Sequence, residues 1–169
     1  QNNAFGRGVL EENTTGSNHV AVGNNALNTN TTGDNNNAVG VNALTANTTG
    51  TNNLAVGVNT LDANTTGTDN VAVGNSALGS MVSGTFNVAV GVGSLGSATG
   101  FRMTAVGHRT GENTTSATDN TIVGYASQLV TTGSSNSSLG SFSLVNNTTG
   151  HDNTAVGRSA LGSNVSATH

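Results

Sequence analysis

The sequence predicts an all-β protein, a parallel β-solenoid in which a unit of about 17 residues repeats ten times. Two observations predict this fold: a glycine preceded by an apolar residue recurs at an almost fixed spacing, and Gly, Thr, Asn and Val dominate the units and disfavour helix. Seven of the nine spacings between these anchor glycines are 17 residues and two are 16. The anchor glycines are Gly6, Gly23, Gly40, Gly57, Gly74, Gly91, Gly107, Gly124, Gly140 and Gly157.

Each unit carries the same columns of residues, numbered here from the anchor glycine. Position −1 is apolar in every copy, position −2 is Ala in eight copies, and position +4 is Leu in eight copies. Position −4 is Asn in eight copies, and a second glycine ends an Asn-Thr-Thr-Gly segment in several. The residues Asn-x-Ala-Val predict one strand, the anchor glycine a bend, the segment reaching Leu a second strand, and Asn-Thr-Thr-Gly the return loop.

A single unit cannot fold alone. Burying its two or three apolar side chains gains roughly 3–8 kcal/mol, whereas ordering its backbone costs on the order of 17–34 kcal/mol. Neighbouring copies must supply the difference, which is the energetic basis of a solenoid. The chain is therefore expected to form one solenoid domain over residues 1–169, with coils about 4.8 Å apart.

Positions −1 and −2 are neighbours in a strand, so their side chains point to opposite sides. We expect the −1 and +4 columns to form the core and the −2 column to form an exposed strip through which copies associate. The expected core comprises Val22, Val39, Val56, Val73, Val90, Val106, Val123, Val156, Leu27, Leu44, Leu61, Leu78, Leu95, Leu144 and Leu161. The expected interface comprises Ala21, Ala38, Ala55, Ala72, Ala89, Ala105 and Ala155.

Two units are irregular, because one residue is missing between Gly91 and Gly107 and another between Gly124 and Gly140. Gly111 and Gln128 also replace the Leu of position +4. We expect remodelled loops there, with the strands still in register. The stacked Asn side chains at position −4 are expected to form amide ladders along the axis.

The segments Asn18-His19-Val20-Ala21-Val22-Gly23, Asn70–Gly74 and Asn87–Gly91 resemble the head repeats of the YadA-like trimeric autotransporter adhesins. Similar arrays occur in phage-tail-like fibres. The resemblance extends over all ten units, although the unit here is longer than the family's. It implies a left-handed β-roll, three chains side by side, and display at the surface of a bacterial cell or on a phage fibre.

The composition excludes several classes of function. The net charge is −4 and there is no Lys, so no basic stripe exists for a nucleic acid. No stretch of 18 apolar residues predicts direct membrane insertion. The histidines His19, His108, His151 and His169 have no metal-ligand spacing and are expected at the surface. We therefore expect neither enzymatic activity nor a cofactor or metal.

Three further patterns have more than one interpretation. Single carboxylates at Asp34, Asp69, Asp119 and Asp152 supply too few oxygens per coil for calcium. The Asn-Thr-Thr segments match the glycosylation pattern, but turn chemistry explains them equally well; their asparagines are Asn13, Asn30, Asn47, Asn64, Asn113 and Asn147. Threonine columns that begin at Thr14 and Thr15 are typical of ice-binding solenoids, but they break at Val82 and Ser83.

The sequence thus predicts a non-enzymatic, extracellular structural or adhesive module. Association side by side, end to end or both would build a homo-oligomer or filament; the host or surface ligand is not specified. Both end coils keep the consensus, which indicates either a segment of a longer fibre or copies that stack head to tail. Ice binding and a receptor-binding fibre segment are the alternatives.

Overall fold

Ten three-residue strands, one from each unit, stack into a single parallel sheet in a computed structural model that describes residues 1–167. The described chain contains no helix, so the predicted all-β parallel solenoid is confirmed. The ten strands are β1 (Asn3–Phe5), β2 (Val20–Val22), β3 (Asn37–Val39), β4 (Leu54–Val56), β5 (Val71–Val73), β6 (Val88–Val90), β7 (Thr104–Val106), β9 (Thr121–Val123), β11 (Ser137–Leu139) and β12 (Thr154–Val156). The strands β8 (Asn113–Thr114) and β10 (Val130–Thr131) form a second, two-stranded parallel sheet.

Hydrogen bonds join successive coils around the whole circumference, beyond the sheet itself. The strands pair residue for residue, so that Ala21 lies opposite Ala38 and Ala38 opposite Ala55. In the return loop the Thr31 N–H donates to the Thr48 carbonyl at 2.9 Å. Because nearly every segment of a coil has its equivalent directly above and below, each coil satisfies the backbone of its neighbours.

The second strand expected between the anchor glycine and Leu is a run of turns instead. Positions +2 and +4 have left-handed backbones, as in Asn42 with φ 56° and Leu44 with φ 52°. Two left-handed residues within three positions curl the chain too tightly for an extended strand. The Leu of position +4 adopts this uncommon conformation in every one of its eight copies, and burial of its side chain compensates for the strain.

The expected assignment of the two strand faces is wrong. The proposed interface residues Ala21, Ala38, Ala55, Ala72, Ala89, Ala105 and Ala155 are at most 2% exposed and line the interior. The valines expected in the core point outward: Val22, Val39, Val90, Val106 and Val156 are exposed, while Val56, Val73 and Val123 are partly exposed. A three-residue strand directs only its middle side chain inward, and the narrow interior leaves room there for Ala.

Leucine at position +4 packs against this inner Ala column and forms the centre of the core. Leu27, Leu44, Leu61, Leu78, Leu95 and Leu144 are 0% exposed. In the last coil Leu161 is 40% exposed, since no further coil in the described chain covers it. Small side chains at position +3, such as Ala26 and Ser94, complete the inner layer.

The two irregular units keep the ladder intact, as expected. Val106 pairs with Val123, and Val123 pairs with Leu139. In the shortened unit after Gly124 the adjustment is in the loop, where β10 replaces the usual turn and pairs with β8 of the preceding coil. At Gly111 the missing Leu side chain leaves space that Leu95 and Ile122 fill. Their side chains come so close that a Cβ on Gly111 would lie 2.8 Å from Ile122 Cδ1 and 2.9 Å from Leu95 Cδ2.

Gln128 occupies a leucine position in the core, and replacing it with Leu is expected to stabilise the solenoid. Its side chain is 0% exposed, and neither amide atom has a hydrogen-bond partner. A buried unpaired polar group costs about 1–3 kcal/mol, so Gln128→Leu should raise the free energy of unfolding by about that amount. Chemical denaturation measures the difference, and a Gln128→Leu variant less stable than the parent would contradict the interpretation.

Candidate interaction surface

The outer side of the main sheet carries an unbroken row of ten apolar side chains, one per coil. We call this row, at position −1, the valine face. Its members are Phe5, Val22, Val39, Val56, Val73, Val90, Val106, Val123, Leu139 and Val156. The strands are in register, so the side chains repeat at the strand spacing of about 4.8 Å and the row extends over about 43 Å. The most exposed member is Phe5, at 78%.

The residues beside the valine face are apolar or neutral. Position −3 shares the outer side of the strand and contributes Val20, Leu54, Val71 and Val88, with Asn, Thr or Ser in the other coils. Fourteen of the twenty outward positions are therefore apolar, and none of the twenty, all within the described chain, is charged. Monomeric proteins rarely expose an apolar surface of this length unless it is a contact surface.

Two ladders of buried Asn side chains hold the coils beneath this surface at a fixed spacing. In the strand ladder, at position −4, the Asn53 amide donates to Asn36 Oδ1 at 3.2 Å and to the Gly67 carbonyl at 2.8 Å. Its Oδ1 accepts from the Asn70 backbone N–H and the Asn70 side chain, both at 3.1 Å. Every donor and acceptor of the amide is used, so the predicted ladder exists, and it lies inside the solenoid.

The loop ladder, at position +7, explains the Asn-Thr-Thr segments. Asn47 Nδ2 donates to Asn30 Oδ1 at 2.8 Å, and Asn64 Nδ2 donates to Asn47 Oδ1 at 3.0 Å. Asn64 also accepts from the Gly67 N–H and closes its own turn. Buried side chains engaged in this way are inaccessible to a glycosylating enzyme in the folded solenoid; among the six asparagines, Asn113 is exposed and Asn13 is partly buried.

His19 is the one expected surface histidine that the structure places inside. It occupies position −4 of the second coil, and its side chain is 1% exposed. His108 and His151 are exposed, as expected, and His169 lies outside the described residues. His108 stacks on Tyr125, with ring centroids 5.4 Å apart, and His151 Nδ1 lies 2.7 Å from Asp152 Oδ2.

Other candidate sites do not come together. Within residues 1–167 no group of three His, Cys, Asp or Glu side chains could hold a metal ion. The carboxylates of Asp34 and Asp119 are engaged by Ser17 and Arg102. In one threonine column the hydroxyls bond within the solenoid, as Thr31 Oγ1 donates to the Thr48 carbonyl at 3.0 Å. The adjacent column, which includes Thr32, is exposed.

The sequence contained a signal for the correct outer face that the prediction did not use. Positions −3 and −1 share one side of the strand, and position −3 holds Asn3, Asn37, Thr104 and Thr154. The side chain at position −3 changes between Asn, Thr, Ser, Val and Leu from coil to coil, which a solvent-facing column tolerates, and the −1 column belongs with it. The buried position −4 lies on the other side, together with Ala.

No helix of residues 1–167 has the length and apolar character needed to cross a bilayer. Comparison with protein-family models, with curated proteins and with solved structures finds no match. The surface geometry and the repeat itself are therefore the basis for assigning a function.

Proposed function

We propose that the chain is a non-enzymatic structural or adhesive module of an extracellular fibre, and that copies associate side by side through the valine face. The observation that carries the proposal is the unbroken row of ten outward apolar side chains. Burying a row of this kind against a partner removes apolar surface from water without desolvating a charge.

A second copy of this chain is the partner that fits the row best. Its valine face has the same spacing of about 4.8 Å, so side chains of one row fit between side chains of the other over all ten coils. Charge also permits this contact, since positions −3 and −1 carry no charge and position +1 carries arginine only in the two end coils, at Arg7 and Arg158. Two copies with a net charge of −4 each can meet along the eight central coils without placing like charges together.

The available area is adequate for a stable contact. Exposed side chains at position +1, including Val41, Val58, Val92 and Tyr125, follow the valine face two residues along the chain. A strip of about 43 by 16 Å, built from these positions, has an area of about 700 Å². Specific interfaces bury about 800 Å² per partner.

Replacing two central members of the row by lysine is expected to abolish association. The double variant Val73→Lys, Val90→Lys places cations in the middle of the row, whereas the inward neighbours Ala72 and Ala89 remain in the core. The control Val82→Lys, Val165→Lys makes the same chemical change at two exposed loop valines. Both variants have a formal net charge of −2, which is −4 plus 2.

Analytical ultracentrifugation of the full chain at micromolar concentration distinguishes the outcomes. The parent and the loop control should sediment as the same oligomer, and the valine-face variant as a monomer. A monomeric parent, or a valine-face variant that associates like the control, would contradict side-by-side association. Electron micrographs of the parent then show whether the oligomers are discrete particles or continue end to end as a filament.

Ice binding is the second candidate, since the exposed threonines Thr15, Thr32, Thr49 and Thr66 occupy consecutive coils. The adjacent column favours it less, because its hydroxyls donate to backbone carbonyls. Thermal hysteresis separates the two functions: a freezing gap that Thr32→Val, Thr49→Val abolishes would favour ice binding over a structural fibre.

A further inference from the structure

His19 occupies a position that Asn holds in eight other coils, and its imidazole ring accepts the same backbone hydrogen bond from the next coil. Its Nδ1 accepts from the Asn36 backbone N–H at 3.2 Å. In the next coil Asn36 Oδ1 accepts from the Asn53 backbone N–H at 3.0 Å in the same way. His19 therefore supplies the acceptor that joins the second coil to the third.

The other side of the ring faces the loop ladder. Asn36 Nδ2 donates to the Gly50 carbonyl, 14 residues along the chain, whereas the corresponding carbonyl, Gly33, accepts from the Asn30 amide at 3.1 Å. Nε2 lies 3.2 Å from Asn30 Nδ2, which already donates to Asn13 Oδ1 and the Gly33 carbonyl. Since Nδ1 is an acceptor, the neutral ring carries its hydrogen on Nε2.

Protonation would break this arrangement. A protonated ring carries a hydrogen on Nδ1 as well as on Nε2. The hydrogen on Nδ1 would point at the Asn36 N–H, so two donors would face each other in a buried site. Burial lowers the pKa of His19 below its ordinary value of 6.5, although the Asp34 carboxylate opposes this shift. The carboxylate that acts on the ring is Asp34, which Ser17 holds by a hydrogen bond.

We propose that the neutral His19 ring is a pH-sensitive lock between the second and third coils, closed when neutral and opened by protonation. Coils of a solenoid contact only their neighbours, so this junction can open while the central coils stay intact. The opened state has a histidine of ordinary pKa, 6.5, and the closed state has a lower pKa. As pH falls below about 6.5, protons therefore bind preferentially to the opened state, and the closed junction loses stability until the closed-state pKa is reached.

Hydrogen exchange on the full chain, followed by NMR between pH 7.5 and 5, tests the proposal. The opening constant of the Asn36 and Val20 amides, corrected for intrinsic exchange, should rise by up to about tenfold per pH unit below the ordinary histidine pKa. In His19→Asn, which has the consensus residue and no titrating ring, the constant should stay level. Amides of the central coils, such as Val88, should not respond in either protein.

A second measurement and a second variant keep the test decisive. The ring resonances of His19 should titrate below pH 6.5 in the parent protein. His151→Asn, which removes an exposed histidine, should leave the pH response unchanged. A ring that titrates at or above 6.5, a parent whose opening constant is independent of pH, or a His19→Asn protein with the parent's response would each overturn the proposal.

Discussion

Gly74→Ala is expected to destabilise the solenoid strongly, although it adds only a single methyl group. Gly74 has φ 130°, a conformation that L-residues with a side chain rarely adopt. A Cβ there would lie 2.6 Å from both the carbonyl carbon and the oxygen of Gly91 in the next coil. Strain of about 1–3 kcal/mol adds to a clash that only separation of the coils can relieve, so we expect a loss of at least about 3 kcal/mol.

Gly79→Ala is the matched control for this prediction. Gly79 lies in the same coil, has no left-handed backbone, and a Cβ there meets its nearest atoms at 3.4 Å, which is ordinary contact. Its substitution should leave stability nearly unchanged or slightly higher. Denaturant titration of the two variants gives the comparison. Equal stabilities would show that the anchor glycines are not required for the stacking distance.

Asn53→Ala is the second change with a large expected effect. It removes an amide whose loss leaves the Asn70 N–H, the Gly67 carbonyl and Asn36 Oδ1 each without one of its partners. Only the Asn70 N–H is left with no partner, at a cost of about 1–3 kcal/mol, and the other two lost hydrogen bonds cost about 1 kcal/mol each, so a total loss of about 3–5 kcal/mol is expected. Asn24→Ala, at an exposed position, is the control and should change stability by less than about 0.5 kcal/mol.

Denaturation of the two asparagine variants also distinguishes a polar core from an apolar one. If Asn53→Ala were as stable as the parent, the Leu and Ala columns alone would hold the coils together. The expected loss of stability in Asn53→Ala would instead show that the buried amide ladder contributes much of the free energy of unfolding. Hydrogen exchange at the Asn70 amide locates the effect, because this N–H loses its acceptor directly.

Repetition made much of the fold predictable from sequence. The strands, their register through the irregular units and the inward Leu column all follow from recurring positions. Which side of each strand faces the interior did not follow, because Val and Ala are both apolar and hydrophobicity alone does not separate the two columns. The width of the interior decides which column is buried. Opposite Leu78 there is room for the small side chain of Ala72, and the larger Ile122 fits only because it lies beside the space at Gly111.

The repeat pattern also did not predict the left-handed backbone of the turn or the burial of His19. Leu is an unfavourable residue for a left-handed backbone, so Leu44 and its equivalents gave no turn signal. Histidine and asparagine are both polar, so a histidine in an asparagine column was expected at the surface. Only the hydrogen bond from the Asn36 N–H shows that its ring replaces a buried amide.

The most direct test of the proposed function uses the absence of cysteine in this chain. A single Val73→Cys or Val90→Cys substitution then provides the only thiol, near the middle of the valine face. Sheets packed face to face lie about 10 Å apart, beyond the reach of a disulfide, so a bismaleimide of matching length is used to join the two thiols. Parallel rods in register bring Val73 next to Val73, and antiparallel rods bring Val73 next to Val90.

The bismaleimide should therefore convert Val73→Cys alone, or its mixture with Val90→Cys, to a covalent dimer. Val82→Cys, on the exposed loop, should remain monomeric under the same conditions. Efficient cross-linking on the valine face and none at the loop is the result that side-by-side association predicts. Equal cross-linking at both places, or none on the valine face with either partner, would contradict it.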